Sequence, residues 1–117
     1  MPILFIYGLH GLDSHKQNQL HNQIGDLRKS VADILRISTS AISVYAPSTF
    51  LAVSSEKEIV VLVEGLIEKP DRTREIKQEI AIITRRWLAD FVNRQDEEYP
   101  QIEVFVRSFD THKDGYV

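Results

Sequence analysis

Pro2-Ile3-Leu4-Phe5-Ile6-Tyr7 is a continuous apolar run, and Ile59-Val60-Val61-Leu62-Val63 is a second. Runs this short, rich in β-branched and aromatic residues, read as strands covered on both faces. Each is followed by a helical stripe. Leu20, Ile24, Leu27, Val31 and Leu35 recur at spacings of 4, 3, 4 and 4, and so do Ile76, Ile80, Ile83, Trp87 and Phe91. Those spacings place one apolar row along a helix. A strand with one apolar face then closes each unit. Ile42, Val44 and Ala46 alternate with Ser43, Tyr45 and Pro47, while Ile102, Val104 and Val106 alternate with Glu103, Phe105, Arg107 and Phe109. Asp13 or Ser14 is placed to cap the first helix and Ser38 to Ser40 to end it; Pro70-Asp71 opens the second, with Lys69 and Arg72 in the same loop. Gly25 lies inside the first helix, at a cost of up to about 1 kcal/mol relative to Ala. The second apolar run continues through Gly65, Leu66 and Ile67.

The two halves match by position. An offset of 56 carries the first strand and helix onto the second pair, and an offset of 60 carries the closing strand onto its counterpart. The second helix-to-strand connection is then four residues longer, which accounts for Asp96-Glu97-Glu98-Tyr99-Pro100. The chain reads as one domain, 1–117, made of consecutive βαβ units at 1–56 and 57–117. The fold class is α+β in two layers, a four-stranded mixed sheet with two helices on one face. Two helices on one face leave the other bare, yet Ile3, Phe5 and Tyr7 are as apolar as Leu4 and Ile6. Another copy of the chain is the simplest cover, so a homo-oligomer is expected.

Composition bounds the function. The chain has 117 residues, 43% hydrophobic and 26% charged, enough for one domain with its own core. It has no Cys, which excludes a disulfide scaffold, a thiolate metal site and a Cys nucleophile. With 14 Lys and Arg against 17 Asp and Glu, the charge of −3 argues against a nucleic-acid binder. No apolar run reaches membrane-spanning length, and Met1-Pro2-Ile3-Leu4 has neither the basic flank nor the cleavage site of a signal peptide. The expected location is the cytoplasm. His10, His15, His21 and His112 lack metal-ligand spacing, so no metal is expected.

A small protein opening Met-Pro, with an apolar strand and β-α-β built twice, resembles the tautomerase superfamily. That family includes 4-oxalocrotonate tautomerase and macrophage migration inhibitory factor. Pro2 with its apolar strand and Gly11 before the helix is similar to the start of the oxalocrotonate enzyme. Leu35-Arg36-Ile37 and Ala41-Ile42-Ser43-Val44-Tyr45-Ala46-Pro47 are similar to a stretch of the inhibitory factor. So is the ending Val104 to Asp110 followed by Gly115-Tyr116. The resemblance implies a keto-enol tautomerase that uses no cofactor, acting on a small keto acid, in an oligomer, with a trimer favoured. It implies Pro2 as the catalytic base once Met1 is removed, since a buried secondary amine loses its proton more readily and can then take one α to a carbonyl. With Met1 attached, the same nitrogen is an amide without basicity.

Arg36, at the helix end, would hold a substrate carboxylate or stabilise an enolate, or it complements the helix dipole. Arg107, flanked by Phe105 and Phe109, is a pocket cation, an inter-subunit ion pair or a solvated edge charge. Phe105 and Tyr116 would supply apolar wall, and with Tyr7 they suit an aromatic ligand. Leu12 and Ser43 stand where the oxalocrotonate enzyme carries arginines for its dicarboxylate, so a monocarboxylate or aryl-pyruvate-type acid fits better. Two other readings remain: a non-catalytic oligomeric protein of the same fold with a binding or structural role, and a ferredoxin-like domain with the same element order.

Overall fold

The computed structural model describes residues 2–9, 14–47, 58–94, 101–115 and 117. The first apolar run forms β1 (Ile3–Tyr7) and the second forms β3 (Glu58–Ile67). The alternating segments form β2 (Ser43–Tyr45) and β4 (Gln101–Phe109). The two stripes form α1 (Ser14–Leu35) and α2 (Arg74–Arg94). The four strands make one sheet in the order β2-β1-β3-β4. β1 pairs with β2 and β3 with β4 in parallel, and β1 meets β3 antiparallel at the centre. This is a four-strand mixed sheet with βαβ units, as expected. A split βαβ unit would set another strand between β1 and β2; here they are direct neighbours, which removes the ferredoxin-like alternative.

The core lies between the helices and one sheet face. Leu4, Ile6, Ile59, Val61 and Val63 meet Leu27, Val31 and Leu35 of α1 and Ile80, Leu88 and Phe91 of α2. The opposite face is apolar and open. Tyr45, Phe5, Leu62 and Phe105 form a row across all four strands, with Tyr7 and Val60 beside it. Tyr45 and Phe105 are 53% and 54% exposed, which leaves this face uncovered in one chain.

Local chemistry sets the boundaries. α1 stops earlier than Ser38, in a Schellman turn: Arg36 N–H donates to the Asp33 carbonyl at 3.3 Å and Ile37 N–H to the Ala32 carbonyl at 3.1 Å. Arg36 holds the left-handed conformation there, with φ 57°. Ser38 caps the short 3-10 turn Thr39–Ala41 instead of ending the helix. α2 is capped by Thr73, whose hydroxyl accepts from Ile76 N–H at 3.3 Å; Pro70-Asp71 belong to the turn before it. Asp13 lies outside the described residues.

The halves superpose with a phase one residue different from the sequence pattern. Leu4 and Ile6 correspond in burial to Val61 and Val63, an offset of 57 rather than 56. Leu27, Val31 and Leu35 likewise fall on the buried Thr84, Leu88 and Val92. Side chains confirm the phase. Arg28 Nε donates to the Ile42 carbonyl, 14 residues on, and Arg85 Nε to the Ile102 carbonyl, 17 residues on. The second connection is therefore three residues longer, not four. An apolar run without polar alternation carries no parity, so a one-residue slip leaves no trace in it. The boundary between 56 and 57 lies outside the described residues.

Candidate functional site

Pro2 precedes β1 at the centre of the sheet. It is buried, and its carbonyl accepts from Ser43 N–H at 3.2 Å, which joins it to the β1–β2 ladder. Strand alternation puts Pro2 on the Leu4 side, toward the helices. β3 passes alongside and bulges just beyond Glu64, the residue paired with Ile3. Gly65 takes φ 73° in that bulge, and the register shift returns Leu66 to the core. Bulges of this kind re-aim side chains at strand ends.

Arg36 lies on the stretch that brings α1 into β2, so it occupies the end of the sheet where Pro2 begins. Its side chain is exposed. Arg107 is near that end too, on β4, but on the outer face. Its Nε donates to Glu64 Oε2 at 2.9 Å. That hydrogen bond and the carboxylate charge hold the guanidinium above its ordinary pKa, Asp114 adds to the rise, and the slight desolvation opposes it. Arg107 is a cation at every working pH. Phe105 lies on the same face, opposite Leu62. Tyr116 falls outside the described residues.

Arg107 and Phe105 thus share one groove, of about 790 Å³, along the outer edge of β4. Its other walls include Glu64 from β3 and Arg74, Lys77 and Gln78 from α2. Neither Pro2 nor Arg36 lines it, so one chain does not gather the four described candidates into a single pocket. Sequence reading passed over Glu64, Arg74 and Lys77. Glu64 carried a signal, as an acid set between the apolar run Ile59 to Val63 and Leu66-Ile67. Arg74 and Lys77, three residues apart at a helix start, look like ordinary solvated charges until the topology sets them beside Arg107. Among the described residues no cluster of His, Asp or Glu has metal-holding geometry, and no helix is long and apolar enough to cross a membrane.

No protein-family model matches the sequence, and no curated protein matches it. Solved structures do. A fused 4-OT wild-type asymmetric trimer matches with a TM-score of 0.66 at 13% identity, over 97% of this chain and 91% of that one. Pt0534 inactivated by 2-oxo-3-pentynoate matches with a TM-score of 0.66 at 12% identity, over 97% and 90%. Macrophage migration inhibitory factor from Toxoplasma gondii matches with a TM-score of 0.63 at 17% identity, over 97% and 95%. The chain therefore has the tautomerase fold along nearly its whole length. At these identities the likeness speaks for fold alone.

Proposed function

We propose that this protein is a cofactor-independent keto-enol tautomerase acting on a small keto acid, with the Pro2 amine as general base after loss of Met1. The observation that carries this reading is the position of Pro2: buried, tied to β2 through its carbonyl, at the start of the central strand. An amine in such a place sheds its proton more easily than one in water. The neutral amine takes the proton α to the substrate carbonyl, the C–H electron pair moves onto the carbonyl as an enolate, and the prolinium returns the proton to oxygen. Arg36 serves the substrate carboxylate or the enolate from the same end of the sheet. Arg107 and Phe105 enter from another protomer, because they face outward from their own, and Tyr116 belongs to the same substrate-binding set. The open apolar face supports a homo-oligomer, and the fused 4-OT trimers make a trimer the favoured state. The single domain of two βαβ units works in the cytoplasm.

Mass spectrometry of protein purified from its natural host tests the first requirement, the loss of Met1. Retention of Met1 sinks the reading. On processed protein, phenylpyruvate tautomerisation is expected to fall at least about a hundredfold in Pro2→Ala, the scale of general-base catalysis. Equal rates would remove Pro2 from the mechanism. Pt0534 is inactivated by 2-oxo-3-pentynoate, and that reagent is expected to add once, to the Pro2-containing peptide.

One observation favours the second reading, a non-catalytic oligomer with a binding or structural role. Glu64 already occupies Arg107, and Leu12 and Ser43 offer no cation in its place. That reading predicts an assembled protein with no Pro2-dependent rate.

A further inference from the structure

The internal repeat supplies its own control for the β4 groove. Under the offset of 57 for helices and 60 for closing strands, Arg74, Lys77 and Gln78 correspond to Gln17, Leu20 and His21. Ala81, Val104 and Val106 likewise correspond to Ile24, Val44 and Ala46. All six counterparts line a second groove, of about 280 Å³, between α1 and the β2 edge. The fold thus makes the same groove twice. The first-half copy carries no formal cation among those six positions, so nothing in the architecture requires Arg74 and Lys77.

From this contrast we infer that the α2–β4 groove is a binding site for a small organic carboxylate with an apolar body. Arg74 and Lys77 make no ion pair among the described residues, which leaves both charges available. Arg107 adds a third cation, paired with Glu64, the single acid among the described lining residues. The apolar lining is Leu62, Ala81, Val104, Phe105 and Val106 among the described residues, which a bare inorganic anion would leave uncovered. The groove is within the size range of small-molecule sites, roughly 300–1,000 Å³. Cations and apolar side chains lining one groove match one ligand chemistry: a carboxylate head met by charge-assisted hydrogen bonds, and a body that prefers to leave water. The groove shares Arg107 and Phe105 with the proposed substrate pocket, but Arg74, Lys77 and Ala81 belong to the groove alone, so variants there with Met1 retained test it apart from Pro2 catalysis.

The test is a titration of the intact protein, Met1 retained, with phenylacetate, followed by backbone amide NMR shifts. Saturable shifts are expected at Lys77, Gln78, Phe105 and Arg107, with no movement at Leu20, His21 and Val44. Arg74→Gln combined with Lys77→Gln is expected to weaken binding about tenfold or more, from the loss of charge-assisted hydrogen bonds. Ala81→Phe keeps every charge and fills the trough, and it is expected to weaken binding as much. Inorganic phosphate is expected to bind far more weakly. Equal shifts in both grooves, indifference to the charge removal, normal binding in Ala81→Phe, or phosphate binding as tight as phenylacetate would each overturn the inference. Thermal melts of both variants establish that they are folded.

Discussion

Arg28 and Arg85 perform the same task in the two halves of the chain: each Nε donates at 3.1 Å to the carbonyl of an isoleucine, Ile42 or Ile102, at the start of the closing strand. Arg28 adds a second bond, from Nη2 to the Thr39 carbonyl at 3.1 Å. Each arginine ties its helix to the connection that follows it. Replacement by Met keeps the aliphatic stem and strands the carbonyl. Arg28→Met is expected to cost about 2 kcal/mol and Arg85→Met about 1.5 kcal/mol, the range for hydrogen bonds to charged groups. Urea unfolding of the two variants measures both values.

Arg36 sits where helices commonly end on glycine. A left-handed φ strains any residue with a Cβ by roughly 1–2 kcal/mol. Arg36→Gly is therefore expected to raise stability by about 1 kcal/mol, allowing for the entropy glycine loses on folding. If Arg36 serves a substrate carboxylate, the same variant loses turnover while its melting point rises. A matched pair of thermal melts and phenylpyruvate assays reads both.

Gly8 closes β1 with φ 100° beside the start of β3. A Cβ built there would collide with the Glu58 carbonyl oxygen. Both backbone atoms and the wrong φ resist the change, so Gly8→Ala is expected to destabilise by about 3 kcal/mol or more. Chemical denaturation gives the figure, and a wild-type midpoint would show that the strand end yields freely.

Glu64→Gln releases Arg107 without removing a hydrogen-bond acceptor. The pair is solvent-exposed on the arginine side, so no measurable change in stability is expected. The groove gains a free cation, and phenylacetate affinity is expected to rise several-fold. Calorimetric titration of wild type and variant compares the two.

Phe5→Glu places a charge in the middle of the open sheet face without touching the core beneath. An assembly built on that face is expected to dissociate into protomers of native circular dichroism. Sedimentation velocity resolves the sizes, and an unchanged species would move the interface elsewhere on the surface.

The elements were legible because each apolar pattern had one period. The stripe from Leu20 to Leu35 had only a helical solution, and Ile102 to Val106 alternated as a strand must. The central strands revealed their kind but not their phase, since both their faces are apolar. Residue parity shows instead in the burial of Leu4, Ile6, Val61 and Val63 and in the arginine-to-carbonyl bonds, which no local pattern announces. The candidate site was read less fully. Pro2 could be proposed because its nitrogen chemistry is intrinsic to its position. Arg107 could be singled out but not interpreted, because its partner Glu64 lies 43 residues away and meets it only through the parallel pairing of β3 and β4. Arg74 and Lys77 gained meaning solely from the strand they stand beside.

The place of β4 at the end of the sheet order among the described residues has a consequence for how the protein behaves in a cell. Nine residues of strand end the sheet there, with Glu103 and Arg107 as the charges along its outer face. Such an edge invites pairing with any extended chain, and charged side chains are the usual guard against it. Newly made protomers that have not found one another present this edge and the bare aromatic row together. Assembly and escape from aggregation are then competing fates of the same surface, decided by synthesis rate and concentration.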